Sequence, residues 1–409
     1  MTNKGIVIVG GGQGGFQTAV SLRAEGYQDS ITIIGDEAEL PYQRPPLSKG
    51  LLSGKQEARH AMLRPAPFYA TQRVELITGQ RAAGIDRVGR AVTLASGQGI
   101  GYDSLVLATG ARNRLLPIEG ATLDGVCYLR TVAEALEIKQ RIDLAQSIVV
   151  IGGGFIGLEV AAAAKAAGKS VTVIEAAPRL MGRVVAPVVS EYFLQTHAQQ
   201  GVSVQLNVGV AGLRGSSGKV DAVLLKDGSV IPADLVVVGI GVVPNAELAQ
   251  SAGLAIGNGI VVDEYLRTDD PSIFAIGDCA EYPNPFAQAR VRLESVQNAV
   301  DQALSVAKSI TGHSVPYEAT PWFWTDQFDI KMQMTGLAHG FDTVVTRGEP
   351  EARKFSVFYY KGGELRSIDS INRPAEHLTA RKIIGARTSI SPEQAADESY
   401  DLKSAVAKN

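Results

Sequence analysis

The sequence predicts an α/β protein: two doubly wound parallel-sheet units, the second a repeat of the first, followed by a separate α+β domain. Three observations predict it. Residues 5–36 run strand, glycine-rich turn, amphipathic stretch, strand and acid. Residues 147–175 run the same course again. From Tyr317 the texture changes to short alternating strands. A repeat of a whole supersecondary unit weighs more than any single motif.

The first unit opens on Ile6 to Val9, an apolar β-branched run of the kind buried in parallel sheets. It leads into Gly10-x-Gly12-x-x-Gly15, then an amphipathic helix over Phe16 to Glu25 and a strand over Ile31 to Ile34 ending at Gly35-Asp36. This is the pattern of a Rossmann-like dinucleotide-binding unit. Gly10 permits the tight turn, Gly12 lets a pyrophosphate approach the backbone, and Gly15 lets helix and strand pack closely. The helix start favours an anion through its free N–H groups and dipole. Asp36 falls where an acid on a ribose is expected, with Glu37 second in line.

Composition bounds the rest. The chain has 409 residues, enough for two or three domains, with 45% hydrophobic and 20% charged residues, as in ordinary globular proteins. A net charge of −3 argues against a nucleic-acid binder or a strongly membrane-attracted protein. The longest apolar run, around Leu235 to Pro244, is too short to span a bilayer. A first strand at residue 5 or 6 leaves no room for a signal peptide, so a cytoplasmic location is expected. Cys127 and Cys279 are the sole cysteines; they form no CxxC and no metal-ligand spacing, and no metal is expected.

Between the repeats, Pro41-Tyr-Gln-Arg-Pro-Pro-Leu-Ser-Lys49 reads as an extended segment that permits a helix to start near Pro46. It delivers Arg44 and Lys49 toward the sheet edge where α/β ligands bind, or else presents two ordinary solvated charges. Strands are expected over Val74 to Ile77, Ala91 to Leu94 and Ser104 to Leu107. The last closes on Ala108-Thr109-Gly110, small residues suited to a closely approached cofactor or to any tight turn.

The second unit has a strand over Ile148 to Ile151, then Gly152-x-Gly154-x-x-Gly157, an alanine-rich helix over Ile156 to Ala167 with Gly168 beyond its end, and a strand over Ser170 to Ile174 closing on Glu175. Two complete fingerprints imply two dinucleotides. Glu175 can accept from a ribose diol and repels a 2′-phosphate, and Ala176 and Ala177 offer no cation beside it. This favours NADH over NADPH, with Arg179 and Arg183 further along leaving the point open. Alternating strands with a Lys226-Asp-Gly-Ser229 hairpin turn, a buried strand over Asp234 to Gly241, and a crossover at Pro244-Asn245 follow. A strand ending Gly277-Asp278 places Asp278 where it could reach a polyol, and Arg292-Leu-Glu-Ser-Val-Gln-Asn298 opens a helix to about Ile310. Beyond it come Pro321-Trp-Phe-Trp324, strands over 331–334, 343–347, 355–360 and 364–371, and a helix over 375–384.

On these motifs the sequence resembles, along nearly its whole length, the FAD-dependent, NADH-linked ferredoxin reductases of oxygenase systems, the putidaredoxin reductase type. The resemblance rests on Gly10 to Gly15, Pro41 to Lys49, Ala108 to Gly110, Leu129-Arg-Thr131, Gly152 to Glu159, Glu175 to Leu180, Gly277-Asp278, Arg292 to Gln297 and Pro321 to Trp324. It implies a glutathione-reductase-like fold: an FAD domain over 1–112 and 242–317, an NADH domain over 113–241, and a C-terminal domain over 318–409. Toward FAD it implies Gly10, Gly12, Gly14 and Gly15, Asp36, Arg44, Lys49, Ala82 against the adenine, Ala108, Thr109, Gly110, Arg130, Asp278, Val296 and Trp324. Toward NADH it implies Gly152, Gly154, Ile156, Gly157, Glu159, Glu175, Arg183, Gly241 and Glu294. Lys49 and Glu159 would pair beside flavin N5 as the catalytic residues.

The implied activity is an NADH-dependent ferredoxin reductase: electrons pass from NADH through FAD to a [2Fe–2S] ferredoxin that feeds a cytochrome P450 or Rieske-type oxygenase. The implied protein is a monomer or homodimer. A rubredoxin reductase and an NADH oxidase or disulfide reductase are the same-superfamily alternatives; the latter two need a reactive cysteine, and Gln43 and Ser48 stand where one would be. An apoptosis-inducing-factor-like NADH-binding protein is the alternative from another class, and the net charge of −3 speaks against its basic surface.

Overall fold

A computed structural model describes residues 5–406. The chain divides into two compact units. The first holds the residues up to Gln43, Ala61–Arg112 and Val243–Phe323; the second holds Arg44–His60, Asn113–Val242 and the chain from Trp324 onward.

The first unit is built on a five-stranded parallel sheet in the order Ile273–Ala275, Ser104–Leu107, Ile6–Val9, Ile31–Ile34, Val74–Ile77. The Gly-rich turn leaves the central strand, so its ligand edge lies at the middle of the sheet, where a doubly wound fold opens its crevice. All four residues of Ile6–Val9 are buried, as an all-apolar run in a two-faced sheet must be. Helix Gln13–Ala24 starts three residues before the predicted Phe16, because Gly14 and Gly15 lie inside it. Helix Val296–Ile310 packs along it. A Cβ on Gly14 would lie 3.3 Å from Ile276 Cδ1 and 3.7 Å from Ala299 Cβ, so this glycine lets core and helix come close.

The second unit repeats the frame. Its parallel sheet runs Ser203–Leu206, Ser170–Glu175, Ser147–Ile151, Leu235–Val238, Val126–Tyr128. Helix Phe155–Ala166 follows the central strand, and Gly168 at φ +78° ends it as expected of a left-handed C-terminal glycine. The 226–229 turn joins the antiparallel strands Lys219–Leu225 and Val230–Pro232. The C-terminal part is a five-stranded sheet in the order Trp322–Gln327, Ile330–Gly336, Glu364–Ile371, Lys354–Lys361, Thr343–Glu349, backed by helix Pro374–Gly385.

Several elements differ from the sequence reading. Helix Val132–Leu144 was not expected, although its capping box, Thr131 with Glu134, is visible as T-x-x-E. Helix Pro187–Gln199 also went unseen, with proline at its first position as the signal. The turn after Pro46 is wound as a π-helix, Leu47–Leu51, and packs on helices Phe155–Ala166 and Val132–Leu144 within the second unit. Trp322–Gln327, read only as an aromatic motif, is an edge strand. The predicted strand over Asp234 to Gly241 shortens to Leu235–Val238, and the helix expected from Arg292 begins at Val296, capped by Ser295. Among the described residues no helix is long and apolar enough to cross a membrane.

Candidate functional site

The two glycine turns share one geometry. A Cβ on Gly10 would sit 2.1 Å from the Ala108 carbonyl oxygen, and one on Gly15 would sit 1.9 Å from the Gly10 carbonyl oxygen. In the second unit the matching distances are 2.4 Å from Gly152 to the Gly239 carbonyl and 2.1 Å from Gly157 to the Gly152 carbonyl. The first and third glycines are therefore demanded by backbone packing. The middle ones are not: nothing lies within 4 Å of a Cβ built on Gly12 or Gly154. Each faces open space at a helix start, where unpaired N–H groups and the dipole suit a phosphate. Both turns thus fit the dinucleotide pyrophosphates that the fingerprints call for.

Around the first turn, Ala108 to Gly110 is latched by a residue the sequence reading passed over. The Asn245 amide donates to the Thr109 carbonyl at 2.9 Å, and the Thr109 hydroxyl donates to the Asn245 carbonyl at 2.6 Å. The Asn245 N–H also donates to the Gly110 carbonyl at 2.9 Å. Asn245 follows Pro244 in what read as a linker. Asp36 is exposed at the lip of a small cleft lined also by Gly11, Gly35, Glu37 and Tyr42. The Tyr42 hydroxyl donates to Glu37. Asp278 sits in a tight turn, Gly277–Cys279, held by Gln302, whose Oε1 accepts from the Gly277 N–H at 2.7 Å. Arg292 joins two predicted residues: it donates to the Asp278 carbonyl at 3.0 Å and pairs with Glu294 at 2.8 Å. Val296 is the first residue of its helix, and Ala82 is buried in the first unit's core.

In the second unit, the Glu175 carboxylate is pinned by the backbone. Oε2 accepts from the Gly153 N–H and Oε1 from the Ala177 N–H, both at 2.7 Å. Arg179, left open above as a phosphate receiver, is spent on its own turn. It donates to the Val185 carbonyl at 2.5 Å, the Gly182 carbonyl at 2.6 Å and the Ser190 hydroxyl at 3.1 Å. Arg183 is exposed beside Gly241, its Nη2 3.9 Å from where a Cβ on that glycine would lie. Ile156, in the first turn of the helix, is 42% exposed, an apolar side chain left uncovered next to the cradle.

The second unit also brings together residues far apart in sequence. Lys49 Nζ lies 2.5 Å from Glu159 Oε1. Glu159 is 4% exposed, on an alanine-rich helix buried nearly all round. A buried carboxylate is costly unless its lone pairs are filled. Here the Ser48 hydroxyl donates to Oε2 at 2.5 Å and the Thr325 hydroxyl to Oε1 at 2.6 Å. Ser48 lies in the proline-rich motif beside Lys49, whereas Thr325 carried no signal of its own. Arg44 Nη1 donates to the Arg130 carbonyl at 2.5 Å, and Trp324, half-buried, precedes Thr325 on the same strand. Cys127 and Cys279 are free and buried. Burial pushes the Cys127 thiol up to about 11 and raises that of Cys279, so neither is poised as a thiolate.

A doubled dinucleotide cradle, one copy in each unit, defines a class of nucleotide-dependent oxidoreductase, and the comparisons agree. The chain belongs to the pyridine nucleotide-disulphide oxidoreductase family, whose model matches residues 4–303; residues 322–406 match the reductase C-terminal family. It is 50% identical over 404 residues to rhodocoxin reductase of Rhodococcus erythropolis, covering 99% of this chain and 95% of that protein. Among solved structures it is similar to the ferredoxin reductase for the CYP199A2 system from Rhodopseudomonas palustris, with TM-score 0.97 and 50% identity over 99% of this chain and 100% of that one. It is likewise similar to the covalent putidaredoxin reductase–putidaredoxin complex, with TM-score 0.96 and 42% identity over 100% of this chain and 99% of that one.

Proposed function

We propose that this chain is an NADH-dependent ferredoxin reductase that carries FAD and serves a [2Fe–2S] ferredoxin of an oxygenase system. The observation that carries the reading is the doubled cradle, with Gly12 and Gly154 each facing open space at a helix start. We assign FAD to residues 1–112 with 242–317, NADH to 113–241, and a separate C-terminal domain to 318–409. A cytoplasmic location goes with this role.

When bound, FAD accepts hydride from NADH and releases electrons singly to an iron–sulfur acceptor; that chemistry belongs to the cofactor. The chain supplies placement and charge. The turn at Gly10, Gly12 and Gly15 and the helix start at Val296 present N–H groups to the FAD phosphates and ring. From the resemblance we also assign to FAD Asp36, Ala82, Ala108 to Gly110 and Asp278 of the first unit, and Arg44, Arg130 and Trp324 of the second. We assign Gly152, Gly154, Gly157, Glu175 and Arg183 to NADH in the same way, and, from the resemblance, Gly241 and Glu294 to its nicotinamide end. Ile156 offers an apolar face to that ring. The pinned Glu175 accepts from the ribose diol and repels a 2′-phosphate, while Arg179 is held by the Val185 and Gly182 carbonyls and the Ser190 hydroxyl. Lys49, anchored by Glu159, keeps a cation beside the flavin without wandering into solvent.

NADH-dependent cytochrome c reduction, with and without added [2Fe–2S] ferredoxin, tests the reading on the flavin-loaded protein. Turnover that depends on ferredoxin is expected. A folded protein that holds no flavin would overturn the reading, and equal service to rubredoxin would redirect it to the rubredoxin reductases.

A further inference from the structure

We propose that Gln327 and His197 are positioning residues for the Lys49–Glu159 pair, acting through the Thr325 hydroxyl. The inference rests on the reading that this pair serves the flavin. Glu159 is the end of a buried line of hydrogen bonds within the second unit. His197 Nε2 lies 2.9 Å from Gln327 Oε1, the Gln327 amide nitrogen donates to Thr325 Oγ1 at 3.2 Å, and Thr325 Oγ1 donates to Glu159 Oε1 at 2.6 Å. His197, Gln327 and Thr325 are each 0% exposed. No role assigned above uses the first two.

The polarity of the line is fixed from its carboxylate end. A carboxylate only accepts, so the single Thr325 proton points at Glu159 and the hydroxyl must itself accept. That makes the Gln327 nitrogen face Thr325 and its oxygen face His197. His197 must then carry its proton on Nε2. Its Nδ1 has no partner among the described residues, and burial lowers the imidazole's affinity for a second proton. The neutral Nε2–H tautomer is the one form that fits.

The alternative shows what this line controls. With the proton on Nδ1, Nε2 would be an acceptor and the Gln327 amide would turn over. Its oxygen would then face Thr325 and compete with Glu159 for the one hydroxyl proton. Glu159 would lose one of its three donors, and the carboxylate that anchors Lys49 would be free to rotate. A ring on helix Pro187–Gln199 thereby sets the orientation of a carboxylate on helix Phe155–Ala166. Buried networks of this kind specify geometry when every member is satisfied.

The test uses FAD-loaded protein. Imidazole ¹⁵N NMR on the wild type should show the His197 proton on Nε2; a proton on Nδ1 overturns the inference without any activity measurement. In anaerobic single-turnover reduction by NADH, Gln327→Leu and His197→Phe should slow flavin reduction about fivefold to tenfold while NADH affinity moves by less than about twofold. His197→Gln, which keeps a donor near the place of Nε2, should recover to within about twofold of wild type. A packing role alone predicts no such rescue. Wild-type rates in Gln327→Leu, with FAD bound, overturn the inference. Should His197→Phe not fold, the NMR result and Gln327→Leu decide. Lys49→Met separates the two levels: if it leaves reduction unchanged, the reading of the pair itself fails; if it slows reduction and Gln327→Leu does not, only the positioning line fails.

Discussion

Gly12 and Gly154 hold the same place in two sheets that share the order of four strands, and each looks into open space, yet the acids that close the second strands are handled in opposite ways. Asp36 is exposed at the lip of its cleft, with Tyr42 binding its neighbour Glu37. Glu175 is fixed by two backbone N–H groups before any ligand arrives. The outer strand differs as well. Ile273–Ala275 comes late in the chain in the first unit, whereas Val126–Tyr128 comes before the glycine strand in the second. The sheet and turn thus supply a shared phosphate cradle, and the loops beyond the second strand make the two cradles different. A site that holds its cofactor through turnover has no need to discriminate each time. One that must choose between NADH and NADPH benefits from a carboxylate already in position.

The comparison can be broken at several points. The largest effect is expected from Gly12→Val. The fold has room for the side chain, so the circular dichroism spectrum should be unchanged, but bound FAD should fall to below about a tenth of wild type because phosphate and side chain claim the same space. Next is Lys49→Met, with FAD still bound: flavin reduction by NADH should slow about 10²-fold, the scale for losing one preorganised charge at a reacting centre. Unchanged stopped-flow traces would remove Lys49 from the catalytic role.

Glu175→Ala should cost about tenfold or more of the NADH preference over NADPH in kcat/KM, since a hydrogen bond to a charged group is worth about 1.5–3 kcal/mol. A wild type that uses both nucleotides equally would contradict the part given to the pinned carboxylate. The smallest effect belongs to the Cys127→Ser, Cys279→Ser double variant, whose electron-transfer rate should stay within about twofold of wild type. Both thiols are buried and resist ionisation, so loss of flavin reduction there would revive a disulfide-reductase mechanism.

What could be read in the sequence follows the range of the interactions. Both cradles were legible because their glycines, strands and acids are local, and steric demand writes the first and third glycine of each turn into a fixed slot. Lys49 and Glu159 lie 110 positions apart, and no periodicity links them; only the resemblance paired them. Thr325, Gln327 and His197 were invisible, since neutral polar residues on a strand and a helix look like any surface until burial is known. Arg179 is the opposite case, a residue whose part the sequence left open. As a sequence it was a free cation near a ribose site, whereas in the fold its donors are turned onto the Val185 and Gly182 carbonyls. Helix Val132–Leu144 was missed although its capping box was in plain view, which is an error of weighting rather than of missing information.

The claim that the two cradles hold different ligands is tested most directly by Gly154→Val. The measurement is an anaerobic titration with NADH, following flavin absorbance on protein whose FAD content has been determined after heat release. The account predicts a full complement of FAD, reduced only at NADH concentrations about 100-fold higher than wild type requires. Loss of FAD from this variant, or reduction at wild-type NADH concentrations, would contradict it.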